Sequence, residues 1–126
     1  MKKILTTLAL GTTLVLSLAG TAEAKSGDVT KPGTCSKAST SKIKLRPDNG
    51  RIETEFEVDQ NRVGKRWRVT LAHNGAAAFR GLRTTAAPSG SFSVRRMLVD
   101  SAGSDRLVAT ANALQSGESC RAVVAF

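Results

Sequence analysis

The stretch "RIETEFEVDQNRVGKRWRVTLAHNG", Arg51 to Gly75, carries acids at every second position, Glu53, Glu55 and Glu57. After a short polar turn it carries arginine in the same rhythm, Arg66 and Arg68 around Trp67, followed by Val69 and Leu71. A period of two sends alternate side chains to opposite faces of a strand, so each half reads as a strand with one buried and one solvated face. No segment of the mature chain sustains a helical period long enough to compete with this alternation.

Residues opposite each other in an antiparallel pair lie on the same face, so hairpins built outward from this stretch are tested by register. In "SKIKLRPDNGRIETEFEV" a loop at Pro47-Asp48-Asn49-Gly50 sets Leu45 against Ile52 and Ile43 against Thr54, with Lys44 and Lys42 against Glu53 and Glu55. In "RWRVTLAHNGAAAFRGL" a two-residue Asn-Gly turn would set Val69 against Arg80 and mix the faces. A three-residue loop with Gly75 left-handed restores them, pairing Val69 with Phe79, Leu71 with Ala77 and Trp67 with Gly81. In "RLVATANALQSGESCRAVVAF" a loop at Gln115–Glu118 sets Leu107, Ala109, Ala111 and Ala113 against Phe126, Val124, Ala122 and Cys120. "GSFSVRRMLVD" supplies one more strand, with Phe92 and Val94 inward. The expected core is Trp67 with Phe56, Val69, Leu71, Phe79 and Phe92.

The chain opens with Lys2 and Lys3, an apolar run from Ile4 to Gly20, and Ala22-Glu23-Ala24. This is the pattern of a secretory signal, residues 1–24, cut after Ala24. The run is diluted by threonines and is too short for a spanning helix, so no membrane span is expected after cleavage. Residues 25–34 are polar with Gly27, Pro32 and Gly33 and read as a flexible lead-in; residues 35–126 read as a single domain. The full chain has a net charge of +9, and removal of Lys2, Lys3 and Glu23 leaves +9 − 2 + 1 = +8. Such a surplus favours anionic partners through non-specific attraction and also serves solubility.

Cys35 and Cys120 are the two cysteines. In an exported chain an even count reads as a disulfide, here closing a loop of 120 − 35 = 85 residues. Two cysteines and the lone His73 lack the short paired spacings of a zinc site, so no metal or other cofactor is expected.

Seven short strands in about a hundred residues, punctuated by turn signals, indicate an all-β, immunoglobulin-like antiparallel sandwich. Cys35 stands just before the first strand and Cys120 at the start of the last, and this topology brings those two points to one end. Trp67 resembles the core tryptophan of immunoglobulin domains, although the proposed bridge differs from the inter-sheet disulfide of antibody domains. The stretch Arg51–Gly75 is also similar to a motif of small secreted actinobacterial proteins that carry no assigned activity. That resemblance implies export and a β-sandwich, and supplies no active-site residues.

The two charge ladders read differently. Glu53, Glu55 and Glu57 face Lys42, Lys44 and Arg46 on one neighbouring strand and Arg95 on the other, so ion pairing is their economical role. Arg66, Arg68, Arg80 and Arg121 converge on the outer face of the opposite sheet, where acids are few. Leu82, Val108 and Val123 share that face, and arginine mixed with apolar area is a composition of protein interfaces as well as of ordinary solvated sheets.

Catalytic chemistry is not indicated. His73 precedes Asn74-Gly75 at a hairpin tip, Asp48, Asp59, Asp100 and Asp105 fall in turns, and no glycine-rich phosphate loop occurs. The chain has no tyrosine and few aromatics for base stacking, which disfavours sequence-specific nucleic-acid recognition. The expectation is a non-enzymatic protein, secreted to the extracellular space or the cell wall. Its partner would be an extracellular protein or an anionic envelope polymer, bound through Arg66, Arg68, Arg80 and Arg121. Two alternatives are an inhibitor of a secreted hydrolase presenting the loop "TTAAPSGS", Thr84–Ser91, and a structural accessory of the envelope.

Overall fold

The computed structural model describes residues 27–126; the signal segment lies outside the described residues. Nine strands follow one another: β1 (Val29–Pro32), β2 (Thr34–Cys35), β3 (Thr40–Asp48), β4 (Arg51–Asp59), β5 (Arg66–His73), β6 (Ala76–Thr84), β7 (Ser91–Val99), β8 (Arg106–Ala113) and β9 (Ser119–Ala125). They form two antiparallel sheets, ordered β1-β3-β4-β7 and β2-β9-β8-β5-β6. Alternate residues of both sheets meet in one core. Ile43, Leu45, Ile52, Phe56 and Val58 come from the first sheet, and Trp67, Val69, Leu71, Leu107, Ala109 and Ala111 from the second. The all-β sandwich expected from the alternation is therefore present, with β3 to β9 as its seven main strands.

The two additional strands correct the flexible lead-in, expected over residues 25–34, for its part from Val29 to Thr34; residues 25 and 26 lie outside the described residues. Val29 to Pro32 pair with Leu45 to Lys42, and Thr34 and Cys35 with Arg121 and Cys120. Their side chains are mostly exposed, so no apolar alternation marks them. Main-chain hydrogen bonding at a sheet edge holds them instead, and Pro32 ends β1, a position where its missing N–H is tolerated.

The hairpins keep the expected faces and differ by two residues in offset, except at the tip of the second, where Ala77, expected inward opposite Leu71, pairs with Ala72 and is exposed. Asn49 and Gly50 both have positive φ, 48° and 77°, and form a two-residue turn, so Lys44 lies opposite Glu55 and Lys42 opposite Glu57. Asn74 and Gly75, at 49° and 84°, form the same kind of turn. Here the extra residue needed to keep the faces apart lies in the strand. His73 and Ala72 pair with Ala76 and Ala77, the register then shifts, and Leu71 pairs with Phe79 and Val69 with Gly81. A bulge at Ala78 thus does what a longer loop was expected to do. In the third hairpin the Ala113 N–H bonds the Glu118 carbonyl, closing a loop over 114–117, and Leu107 lies opposite Val124.

Gly33 is where the chain crosses from one sheet to the other. A Cβ there would collide with Ser41 Oγ and stand 2.7 Å from the Arg121 carbonyl oxygen. Only glycine allows the backbone to pass between β3 and β9 this closely. Immediately beyond the crossing, Cys35 and Cys120 are directly opposed and joined, so the disulfide ties β2 to β9 and closes the 85-residue loop. The buried Glu118 carboxylate holds the following turn, accepting from the Lys37 N–H (3.1 Å), the Ser39 N–H (3.0 Å) and the Ser39 hydroxyl (2.5 Å).

Trp67 is fully buried, 6.0 Å from Phe92 between ring centroids, and its indole N–H donates to Gln60 Oε1 at 2.9 Å. Phe79, expected in the core, is half-buried because β6 is an edge strand; its ring lies over Gly81, where a Cβ would meet it at 2.9 Å. The guanidinium groups of Arg83 on β6 and Arg96 on β7 lie 4.6 and 4.5 Å from the Phe79 ring centre. Cation–π contact lets these two inward-pointing arginines line the side opening between the sheets.

Candidate functional site

The two sheets divide the charge unequally. On the four-stranded sheet, β3 presents Lys42, Lys44 and Arg46, β4 presents Glu53, Glu55 and Glu57, and β7 presents Arg95. Arg46 pairs with Glu53 (2.5 Å), Arg95 with Glu55 (2.5 Å) and Glu53 (3.5 Å), and Lys42 with Glu57 (3.8 Å). Lys44 reaches Asp28 at 3.8 Å. The hydrogen bond to Glu53 raises the pKa of Arg46 above its ordinary value, and the bond to Glu55, with the further charge of Glu53, does the same for Arg95.

None of the five strands of the other sheet contains an aspartate or a glutamate. Its outer face carries the four arginines expected from the sequence, Arg66 and Arg68 on β5, Arg80 on β6 and Arg121 on β9, all exposed. Among the described residues none of the four takes part in an ion pair.

The register places them. One cross-strand row runs through all five strands as Thr34, Arg121, Thr110, Thr70 and Arg80. Arg121 and Arg80 are therefore three strand spacings apart, about 14 Å. The adjacent row holds Ser119, Asn112, Arg68 and Leu82, and Arg66 follows opposite Thr84. The arginines are brought to one face as a spaced array, interleaved with hydroxyl and amide groups. Thr70, Thr110 and Asn112 were not singled out from the sequence, although the alternation that places Arg68 outward also places them there.

Arg66 stands where this face meets a groove of about 240 Å³ lined by Gln60, Arg62, Lys65, Arg66, Ala113, Gln115 and Ser116. The groove assembles from the β4–β5 and β8–β9 loops, about fifty residues apart in the chain, so no local motif announces it.

Other clusters have structural work. His73 Nε2 donates to Asp105 Oδ1 at 2.6 Å, and the same fully buried carboxylate accepts from the Asn74 amide (3.2 Å) and the Ser101 N–H (3.1 Å). The group anchors the 73–76 hairpin tip to the 100–105 loop. Cys35, Glu118 and Cys120 bring three ligand atoms close together, but the sulfurs are bonded to each other and the carboxylate holds the 37–39 turn. The loop Thr84–Ser91 is tied down by an Ala86–Ser91 bridge and by the Gln60 N–H to the Gly90 carbonyl (3.0 Å). Among the described residues no helix is long and apolar enough to cross a membrane. No family model, no curated protein and no solved structure matches the chain.

Proposed function

We propose that the protein is an exported, non-enzymatic binding module that engages an anionic polymer of the cell envelope through the outer face of its five-stranded sheet. The observation that carries this reading is the absence of any carboxylate from the strands of that sheet, while Arg66, Arg68, Arg80 and Arg121 stand exposed on it. On the opposite sheet every outward glutamate is matched by a cation, so much of the positive charge there is offset and the field is stronger on the arginine face. Threonine and asparagine between the arginines add hydrogen-bonding groups suited to a hydroxylated or phosphorylated chain laid across the strands. Export is supported by the leader-like residues 1–24 and by the Cys35–Cys120 disulfide. We read the sandwich as immunoglobulin-like, with β3, β4 and β7 in one sheet and β6, β5, β8 and β9 in the other.

The test compares two triple variants in binding to an isolated cell-wall fraction and to soluble polyphosphate over a range of salt. Arg66→Ser/Arg68→Ser/Arg121→Ser should weaken binding and flatten its salt dependence. Lys42→Ser/Lys44→Ser/Arg46→Ser removes the same charge from side chains already paired with carboxylates and should weaken it less. Equal losses would show that total charge alone governs adsorption and would remove the proposal.

A further inference from the structure

We propose that the groove beside Arg66 is a phosphate-binding site, which takes one phosphate group of the polymer whose chain lies on the arginine face. This rests on the binding reading above and deepens it by naming the group recognised.

The polarity of the lining points to the ligand. Arg62, Lys65 and Arg66 supply cations, and no carboxylate lines the groove. Each neutral polar side chain already accepts a hydrogen bond. Gln60 Oε1 receives the Trp67 indole N–H at 2.9 Å, and Gln115 Oε1 receives Lys65 Nζ at 3.4 Å. Indole and ammonium only donate, so both amide orientations are chemically determined, and each leaves an NH₂ to donate. Ser116 Oγ accepts from the Glu118 N–H at 3.2 Å, leaving its hydroxyl proton, and the Ser116 carbonyl is taken by Lys37 Nζ at 2.8 Å. The lining therefore offers more free donors than free acceptors, a balance that favours an anion with several acceptor oxygens. Six donor side chains outnumber what a planar carboxylate can engage, and a tetrahedral phosphate with its spread of oxygens fits them better. A volume of about 240 Å³ holds such a group with part of its ester and is smaller than the usual pocket for a whole organic ligand.

The groove is also fixed in advance of binding. Thr85 is buried, and its hydroxyl donates to the Arg62 carbonyl (2.5 Å) while accepting from the Lys65 N–H (2.9 Å). Its main chain closes on both sides of the same loop, with Gly64 N–H to the Thr85 carbonyl and Thr85 N–H to the Lys65 carbonyl, each 2.8 Å. Across the groove, the Leu114 N–H bonds the Arg66 carbonyl at 3.0 Å and joins the second loop to the first. Fixing the main chain that carries these cations lowers part of the ordering cost of binding.

The experiment is an amide-shift NMR titration of the oxidised, exported chain with inorganic phosphate, against chloride at equal ionic strength, with soluble polyphosphate as a second probe. Phosphate should give saturable shifts confined to residues 60–66 and 113–116. Arg62→Ser/Lys65→Ser should weaken phosphate binding about tenfold or more. Gln115→Glu, an isosteric change on an exposed loop that places an acceptor among the donors, should do the same with the rest of the spectrum unchanged. Arg68→Ser/Arg121→Ser should leave phosphate affinity within about twofold and weaken polyphosphate binding. Shifts matching those with chloride, or phosphate affinity unaltered by both groove variants, would overturn the site. If polyphosphate then still binds through Arg68 and Arg121, the arginine face stands without it. Phosphate binding in the groove with no polyphosphate binding would support the site and remove the polymer reading.

Discussion

Replacing Gly33 by alanine tests the crossing that brings β2 and its cysteine to the second sheet. The added methyl would overlap Ser41 Oγ and lie 2.7 Å from the Arg121 carbonyl oxygen, with Ala122 Cβ at 3.1 Å. The hydroxyl can rotate or be removed, whereas the carbonyl belongs to β9 and yields only if the strand moves. Overpacking of this kind costs about 1–3 kcal/mol. For a domain of this size each kcal/mol corresponds to a fall of about 4–8 °C in Tm. Ser41→Ala alone should be neutral or slightly stabilising, because Ser41 Oγ is buried with no hydrogen-bond partner to leave stranded and the packing lost with the smaller side chain offsets part of the gain. In Gly33→Ala/Ser41→Ala the first collision disappears and the second remains, so the pair should recover part of the loss, with a coupling of about 0.5 kcal/mol or more. Urea denaturation of the four oxidised proteins closes the cycle. A Gly33→Ala protein within about 0.5 kcal/mol of the parent would refute the close crossing. A double variant no better than Gly33→Ala would show that the backbone contact alone sets the cost.

Three further predictions concern stability. Trp67→Ala should lose about 3–5 kcal/mol by urea denaturation, since a fully buried indole leaves a large cavity and Gln60 loses its donor; an unchanged midpoint would mean that Trp67 is not in the core. Thr54→Val should gain about 1 kcal/mol, because the Thr54 hydroxyl is buried without a hydrogen-bond partner, and a loss of stability would reveal a bond that the packing does not suggest. Cys35→Ser/Cys120→Ser should lose about 2–4.5 kcal/mol, the upper figure being the chain-entropy value for an 85-residue loop, and equal stability in the two proteins would remove loop closure as a source of stability.

Which side chains face inward was legible along most of the seven main strands, Ala77 beside the bulge excepted, and how far each strand slides was not. Burial constrains a strand modulo two residues, so Leu45 and Ile52 were placed on the same face although they are not partners; Leu45 lies opposite Thr54. The offset depends on turn geometry, and both Asn-Gly turns are tighter than the loops expected. The bulge at Ala78 has no marker in a run of three alanines. The arginine face was accessible because it follows from facing alone: once Trp67 and Val69 are inward, Arg66 and Arg68 are outward. The groove was not, because it depends on Thr85 fastening residues 62–65 and on the meeting of two distant loops. β1 escaped because a strand held by its main chain at a sheet edge leaves no pattern in its side chains.

The two arginines at the side opening bear on how copies of this chain treat one another. β6 and β7 are each nine residues long and end their sheets on the same side, offering unpaired main-chain groups on which another strand could template itself. A strand docking there would have to enclose the guanidinium groups of Arg83 and Arg96, which point inward at these edges and lean on Phe79. Removing those charges from water with no carboxylate to meet them opposes edge-to-edge addition. The cost of burying two guanidinium groups therefore makes this side of the sandwich a poor template for an incoming strand.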